Sequence, residues 1–196
     1  MRKVLLFGED VGHALVLRAL VERVAQERRL AVVVEVRQAE GGYGTLLEAL
    51  RVFVRLLPAG REPLPDLLLA VRDANCKGYS ECKEGVAHVL AGYPAPVVTA
   101  IPDPHIERWL LLDSAAFKSV FGKGCVAPDN KCERDRYKER LTQAVRDAGE
   151  TPSLGGLEYA EALVREMDLP RLERKDASLG HLLQDLREQF NQWELA

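Results

Sequence analysis

Four short apolar runs recur along the first half of the chain: KVLLF at 3–7, AVVVEV at 31–36, DLLLAV at 66–71 and PVVTAI at 96–101. Each reads as a strand, and their continuous rather than alternating apolar character suits burial on both faces. Between them the period changes. Leu17, Leu20, Val21 and Val24 recur at helical spacing, and so do Leu46, Leu47, Leu50, Val54 and Leu57. GGYG at 41–44 breaks the chain before the second helix, Pro58 and the AGREPLP segment end it, and a third helix is expected around Tyr79–Leu90. Strands alternating with helices imply crossover connections and parallel pairing. The pattern therefore predicts an α/β fold with a parallel four-stranded sheet and helices on both faces. In such a sheet, ligands bind beyond the carboxyl ends of the strands.

After Pro102 the character changes. Asp103 is positioned to cap a helix with Pro104 as its first residue, running through HIERWLLLD. Residues 118–146 carry eight Lys/Arg against four acids. LGGLEYAEALVREMDLP reads as a further helix with a Gly-rich entry. The last helix carries Leu179, Leu182, Leu183, Leu186, Phe190 and Trp193 on one stripe. The expected division is a core over 1–115 and a helical extension over 116–196 packed on it.

With 196 residues the chain can bury a core without disulfides. Apolar content of 47% and charged content of 29% are those of a soluble globular protein. A net charge of −3 gives no global attraction for nucleic acid, so such binding needs a local patch. Only Val4–Phe7 are consecutively apolar near the start, too few for a signal-peptide core, and no run approaches a membrane span. The expectation is a cytoplasmic protein whose four cysteines are thiols or metal ligands rather than disulfides.

The strand ends are acidic. The first closes in Gly8-Glu9-Asp10, the third in Asp73-Ala74-Asn75, and the fourth in Pro102-Asp103 with Glu107 one turn later. Acids after strands often cap the following helix, and that role is open for Asp10 and Asp103. Three acidic ends on one sheet edge exceed what solvation requires. Oxygen ligands there suit a hard cation such as Mg²⁺, which could bridge to a phosphate and lower the pKa of an attacking water.

The order strand–Glu–helix, strand–Asp-x-Asp–helix resembles the Toprim domain of topoisomerases, primases and the overcoming-lysogenization-defect nucleases. Over the whole chain the resemblance is to the uncharacterised Toprim-like family found beside ATPases in bacterial defence loci. LLFGED, GGYG, LLLAVRDAN and AIPDPHIERWLLLD carry it, with weaker similarity through KCERDRYK and LGGLEYAEALV. It implies a Toprim/Rossmann-like sheet and nucleic-acid cleavage or nicking with Mg²⁺ or Mn²⁺, on DNA before RNA, with an ATPase as a possible partner. Glu9 matches the Toprim general base or acid, and Asp73 the first, metal-holding aspartate. Asn75 stands where the second aspartate belongs, and Glu107 and Asp113 match acids of the later helix. Asn75 removes a negative charge that Asp10 could restore. These departures leave open a Toprim fold with weakened or lost catalysis.

Other residue types give weaker signals. Cys76 and Cys82 are separated by five residues and Cys125 and Cys132 by six, outside the usual zinc-knuckle spacing. A four-thiolate Zn²⁺ site, a redox-sensitive pair and unlinked thiols all remain open. His13 lies one turn from Glu9, and His105 beside the acidic helix. His88, His181, Trp109 and Trp193 read as packing or capping residues. Lys118, Lys123, Lys131, Arg134, Arg136 and Lys138 are candidate phosphate contacts, the alternative being a solvated face. Two further function classes fit the acids: a receiver-type phosphoacceptor domain with Asp73 as acceptor, and a non-catalytic module for an ATPase partner.

Overall fold

A computed structural model describes residues 1–38, 45–57 and 63–195; GGYG and Pro58 lie outside them. Four strands form one sheet: β1 (Arg2–Gly8), β2 (Val32–Gln38), β3 (Leu67–Val71) and β4 (Val97–Ala100). All pairs are parallel and the order is β2-β1-β3-β4. From β1 the chain moves one way to β2, then back across to β3 and β4. The direction of winding therefore reverses between β1 and β3. Their register pairs Phe7 with Ala70, so the two strand tips leave the sheet side by side.

Alternation along the strands sorts the core onto two faces. Val4 and Leu6 of β1 with Leu67, Leu69 and Val71 of β3 face the larger core cluster. Leu5, Phe7, Leu68 and Ala70 face the smaller one. The smaller face is covered by α2 (Thr45–Leu56) and α3 (Tyr79–Val89), through Leu46, Leu50, Phe53, Cys82 and Val86. The larger face takes α1 (Val11–Glu27) together with the helices after β4. These are α4 (Ile106–Leu111), α5 (Ser114–Phe121), α6 (Arg136–Asp147), α7 (Ala160–Glu166), α8 (Leu169–Lys175) and α9 (Ala177–Leu195). Leu141, Leu163, Leu172, Leu183 and Phe190 from the second half share this cluster with the sheet residues. Among the described residues no helix is long and apolar enough to cross a membrane.

Three links fix the second half to the helices that follow the strand ends. Arg108 of α4 forms a buried ion pair with Asp176, whose carboxylate also accepts the Leu179 N–H at 2.8 Å and so caps α9. Trp109, 1% exposed, donates its indole N–H to Ser178 Oγ at 3.0 Å, so it is a core residue with a satisfied polar edge. Asp113 caps α5, accepting the Ala115 N–H at 3.1 Å, the Ala116 N–H at 3.3 Å and, from across the fold, the Asp168 N–H at 3.1 Å.

One expected cap is corrected. The sequence pattern assigns the α4 cap to Asp103 with Pro104 leading the helix. The Asp103–Pro104 peptide is cis, and α4 begins later, at Ile106, behind His105. The acceptor for the Ile106 N–H is the Asp73 carboxylate, at 3.1 Å.

The cysteine expectation is corrected too. Cys76 and Cys132 form a disulfide, with Cα atoms 5.5 Å apart. Cys82 and Cys125 are unpaired. Cys82 is buried under the loop after β3, with its thiol directed at the carbonyls of Asp73 and Ala74. Cys125 turns to the Leu111 carbonyl, and burial pushes its thiol up to about 11. The four sulfurs therefore do not assemble into a zinc site. The segment before α6 returns Cys132, not Cys125, to the strand end.

Candidate functional site

The site is built where β1 and β3 end. Asp10 is the N-cap of α1, its Oδ1 accepting the His13 N–H at 2.9 Å. The cap sets the first turn of α1 over the sheet edge and buries the His13 ring to 5% exposure. His13 Nδ1 lies 3.0 Å from Asp10 Oδ1, and Nε2 lies 3.1 Å from Asp73 Oδ1. The second contact is a charge contact off the hydrogen-bonding axis, leaving Nε2 without an aligned acceptor. On its other side Asp73 meets His105, with Oδ2 at 3.2 Å from Nδ1. Asp73 is thus held by two histidines and the first N–H of α4, and is 8% exposed.

Charge follows from this geometry. Burial disfavours ionisation of Asp73, but the His13 charge and the His105 hydrogen bond outweigh it and lower its pKa. Burial likewise opposes Asp10, yet its contacts with His13 hold the carboxyl at about 2. Burial alone would discharge His13; the neighbouring Asp73 charge and the hydrogen bond to Asp10 raise its pKa instead. The hydrogen bond to Asp73 also raises His105. Asp10, Asp73 and the two histidines therefore form a chain of alternating charge.

Glu9 and Glu107 stand outside that chain. Burial raises the pKa of Glu9, with the His13 charge opposing and the Asp73 charge adding to the rise. Burial raises Glu107 as well, followed by repulsion from Asp73. Neither has an ion-pair partner among the described residues. Both carboxylates are sensitive to the same buried Asp73 charge.

The fit to a divalent cation is by donor chemistry. Among the described residues no group of three or more His, Cys, Asp or Glu is arranged to hold a metal ion. Asp73 already meets three donors. Glu9 and Glu107, however, are partly desolvated acids beside a third negative charge, and they carry oxygen donors of the kind a hard cation takes. A cation beside them would offset the burial that raises both and the lesser repulsion from Asp73.

Asn75 belongs to the turn. Its backbone is left-handed, φ 49°, a conformation asparagine tolerates better than most residues. Its side-chain amide donates to the Asp73 carbonyl at 3.3 Å. The Toprim resemblance implies Asn75 as a ligand; the structure gives its amide this local bond.

The basic candidates are dispersed in role. Arg136 pairs with Asp129 at 2.6 Å and Glu133 at 2.5 Å, Lys131 with Asp129 at 3.6 Å, and Arg134 with Asp135 at 3.4 Å. Lys123 donates to the Asp147 carbonyl at 3.1 Å. Lys118 and Lys138 are exposed and make no ion pair among the described residues. The residue that ties this region to the site is Tyr137, fully buried, with its ring 6.0 Å from that of His105. Its hydroxyl accepts the Lys131 N–H at 2.8 Å and can donate to the Lys131 carbonyl at 2.6 Å. Its neighbours are charged, yet Tyr137, Leu141 and Val145 recur at i, i+4 and i+8, the spacing that marks a buried helix face, and all three are buried.

Compared with known proteins, the chain matches no family model, no curated protein and no solved structure.

Proposed function

We propose that the chain cleaves or nicks nucleic-acid phosphodiester bonds with a divalent cation, Mg²⁺ or Mn²⁺, on DNA before RNA. This reading is supported by the parallel exit of β1 and β3, which deliver Glu9 and Asp73 to one sheet edge, and by the influence of the Asp73 charge on both Glu9 and Glu107. Oxygens of Glu9 and Glu107, with the remaining lone pair of Asp73, would hold the ion. When bound, the ion neutralises phosphate charge and lowers the pKa of an attacking water. Glu9, whose ionisation burial already resists, is suited to take and return a proton. His13 and His105 keep Asp73 ionised and fixed in orientation. The resemblance to Toprim-like proteins agrees with these roles, and an ATPase partner rests on that resemblance alone.

The test is nicking of supercoiled plasmid with Mg²⁺ or Mn²⁺. Glu9→Gln is the cleanest variant, because Asp73→Asn would also disturb the α4 cap. Loss of a general base is expected to lower the rate by about 10²–10⁴-fold. Unchanged nicking by a folded Glu9→Gln protein refutes the assignment.

A second reading, a non-catalytic interaction module, draws support from the engagement of both Asp73 oxygens. It predicts that the wild type shows no divalent-dependent cleavage. A receiver-type phosphoacceptor role has less support, since Asp73 is 8% exposed and already meets three donors.

A further inference from the structure

We propose that the outward face of α6 is a track for the sugar-phosphate backbone of a nucleic-acid strand, leading to the Asp73 edge. The proposal rests on the cleavage reading above and names the surface its substrate would cross. Arg136, Arg140, Gln143 and Arg146 fall on one face of α6 and line an open cleft of about 580 Å³, with Arg134 beside them. Glu133 and Glu139 also line it, so four arginines face two acids. Arg136 is occupied by Asp129 and Glu133. Arg140 and Arg146 have no carboxylate within ion-pair distance among the described residues, and Gln143 bonds only along the helix, to Asp147 at 2.7 Å. In a chain of net charge −3, a cleft with four arginines against two acids, two of the arginines outside any ion pair among the described residues, forms a local anion site.

Placement links the cleft to the site. Tyr137, next to Arg136, packs against His105, which contacts Asp73. The Cys76–Cys132 disulfide ties the segment before α6 to the loop three residues beyond Asp73. From Arg136 to Arg146 the helix rises about 15 Å, long enough to span more than one phosphate of a strand. No aromatic side chain lines the cleft, so it offers charge without base stacking. Binding there is read as backbone-directed and independent of sequence.

The experiment is fluorescence anisotropy with 20-nucleotide single strands of mixed-sequence DNA and of matching RNA, in EDTA, over about 50–200 mM salt. The proteins are the wild type, Arg140→Glu/Arg146→Glu, and a charge-matched control, Arg51→Glu/Arg55→Glu, on α2 across the sheet. Circular dichroism checks the fold of each. The wild type is expected to bind DNA, or DNA and RNA alike. The α6 variant should weaken binding at least tenfold and flatten the log–log salt slope by about 1.4, two contacts at 0.7 each for a single strand. The α2 control should match the wild type. No binding by the wild type, an α6 variant that binds like it, or an equal loss in the control overturns the track. EDTA separates this outcome from the chemistry. Cleavage with no role for α6 removes the track alone, whereas α6-dependent binding without cleavage removes the proposed reaction alone.

Discussion

His13 holds the charge balance of the strand edge, and its substitution has a predictable pH signature. Its pKa lies above the ordinary 6.5, so its protonated form stabilises the fold; that contribution is complete below 6.5 and fades as pH rises through the folded-state value. Asp10, at about 2 against an ordinary 3.8, contributes above 3.8 and loses that contribution as pH falls toward 2, and Asp73 shifts in the same direction. The cluster therefore stabilises most between 3.8 and 6.5. Thermal unfolding across pH should show stability falling on both sides of this window. His13→Gln should remove about 1–3 kcal/mol within it, as expected for hydrogen bonds to charged groups, and flatten the alkaline decline. An unchanged profile in that variant would mean that His13 is not charged in the fold. Glu9→Gln should behave in the opposite way, leaving stability equal or slightly higher, because burial already disfavours its ionised form.

The elements around the edge are held by contacts between distant parts of the chain. The disulfide closes a loop of 56 residues, for which the chain-entropy account gives about 4 kcal/mol. Both cysteines are exposed. Mild reductant, or Cys132→Ser, should lower the melting temperature and open the segment around 122–135 to trypsin, while Leu141 and Val145, buried in the core, keep α6 in place. Gly12 is a second sensitive point. A Cβ there would come within 2.4 Å of Leu157 Cδ1, where the chain before α7 crosses the first turn of α1. Gly12→Ala should cost about 1–3 kcal/mol as an overpacked contact, read by denaturant unfolding. Such features explain what the sequence could and could not show. Each strand falls within a residue or two of its expected bounds, because continuous apolar runs report burial on both faces directly. The glutamate and aspartate at the β1 and β3 tips were equally readable, since parallel pairing puts every strand end on one edge. The α4 cap was not, because the acceptor for Ile106 comes from Asp73, 33 positions away, and no local rule reports it. Cysteine pairing was hidden for a similar reason: it depends on where an irregular segment returns, not on spacing.

Across the whole molecule, one core joins the sheet to the helices that follow it. Leu179, Leu182, Leu183, Leu186 and Phe190 of α9 are buried in the same cluster as Val4, Leu6 and Leu69, and Arg108–Asp176 bridges the halves. A fragment ending at residue 115 would expose the surfaces of Trp109, Leu110 and Leu111 that these helices cover. It is expected to lose cooperative unfolding, whereas the full chain should unfold in one transition by calorimetry. The proposed function has Glu9, Asp73 and Glu107 converge on one cation at the strand edge that this core supports. That convergence is the central claim, and titration of the protein with Mn²⁺, followed by the loss of the free-ion electron paramagnetic resonance signal, tests it most directly. The account predicts saturable binding of one or two ions by the wild type and its loss in Glu9→Gln/Glu107→Gln, with the fold intact by circular dichroism. Binding that survives in the double variant, or no binding by the wild type, would contradict it.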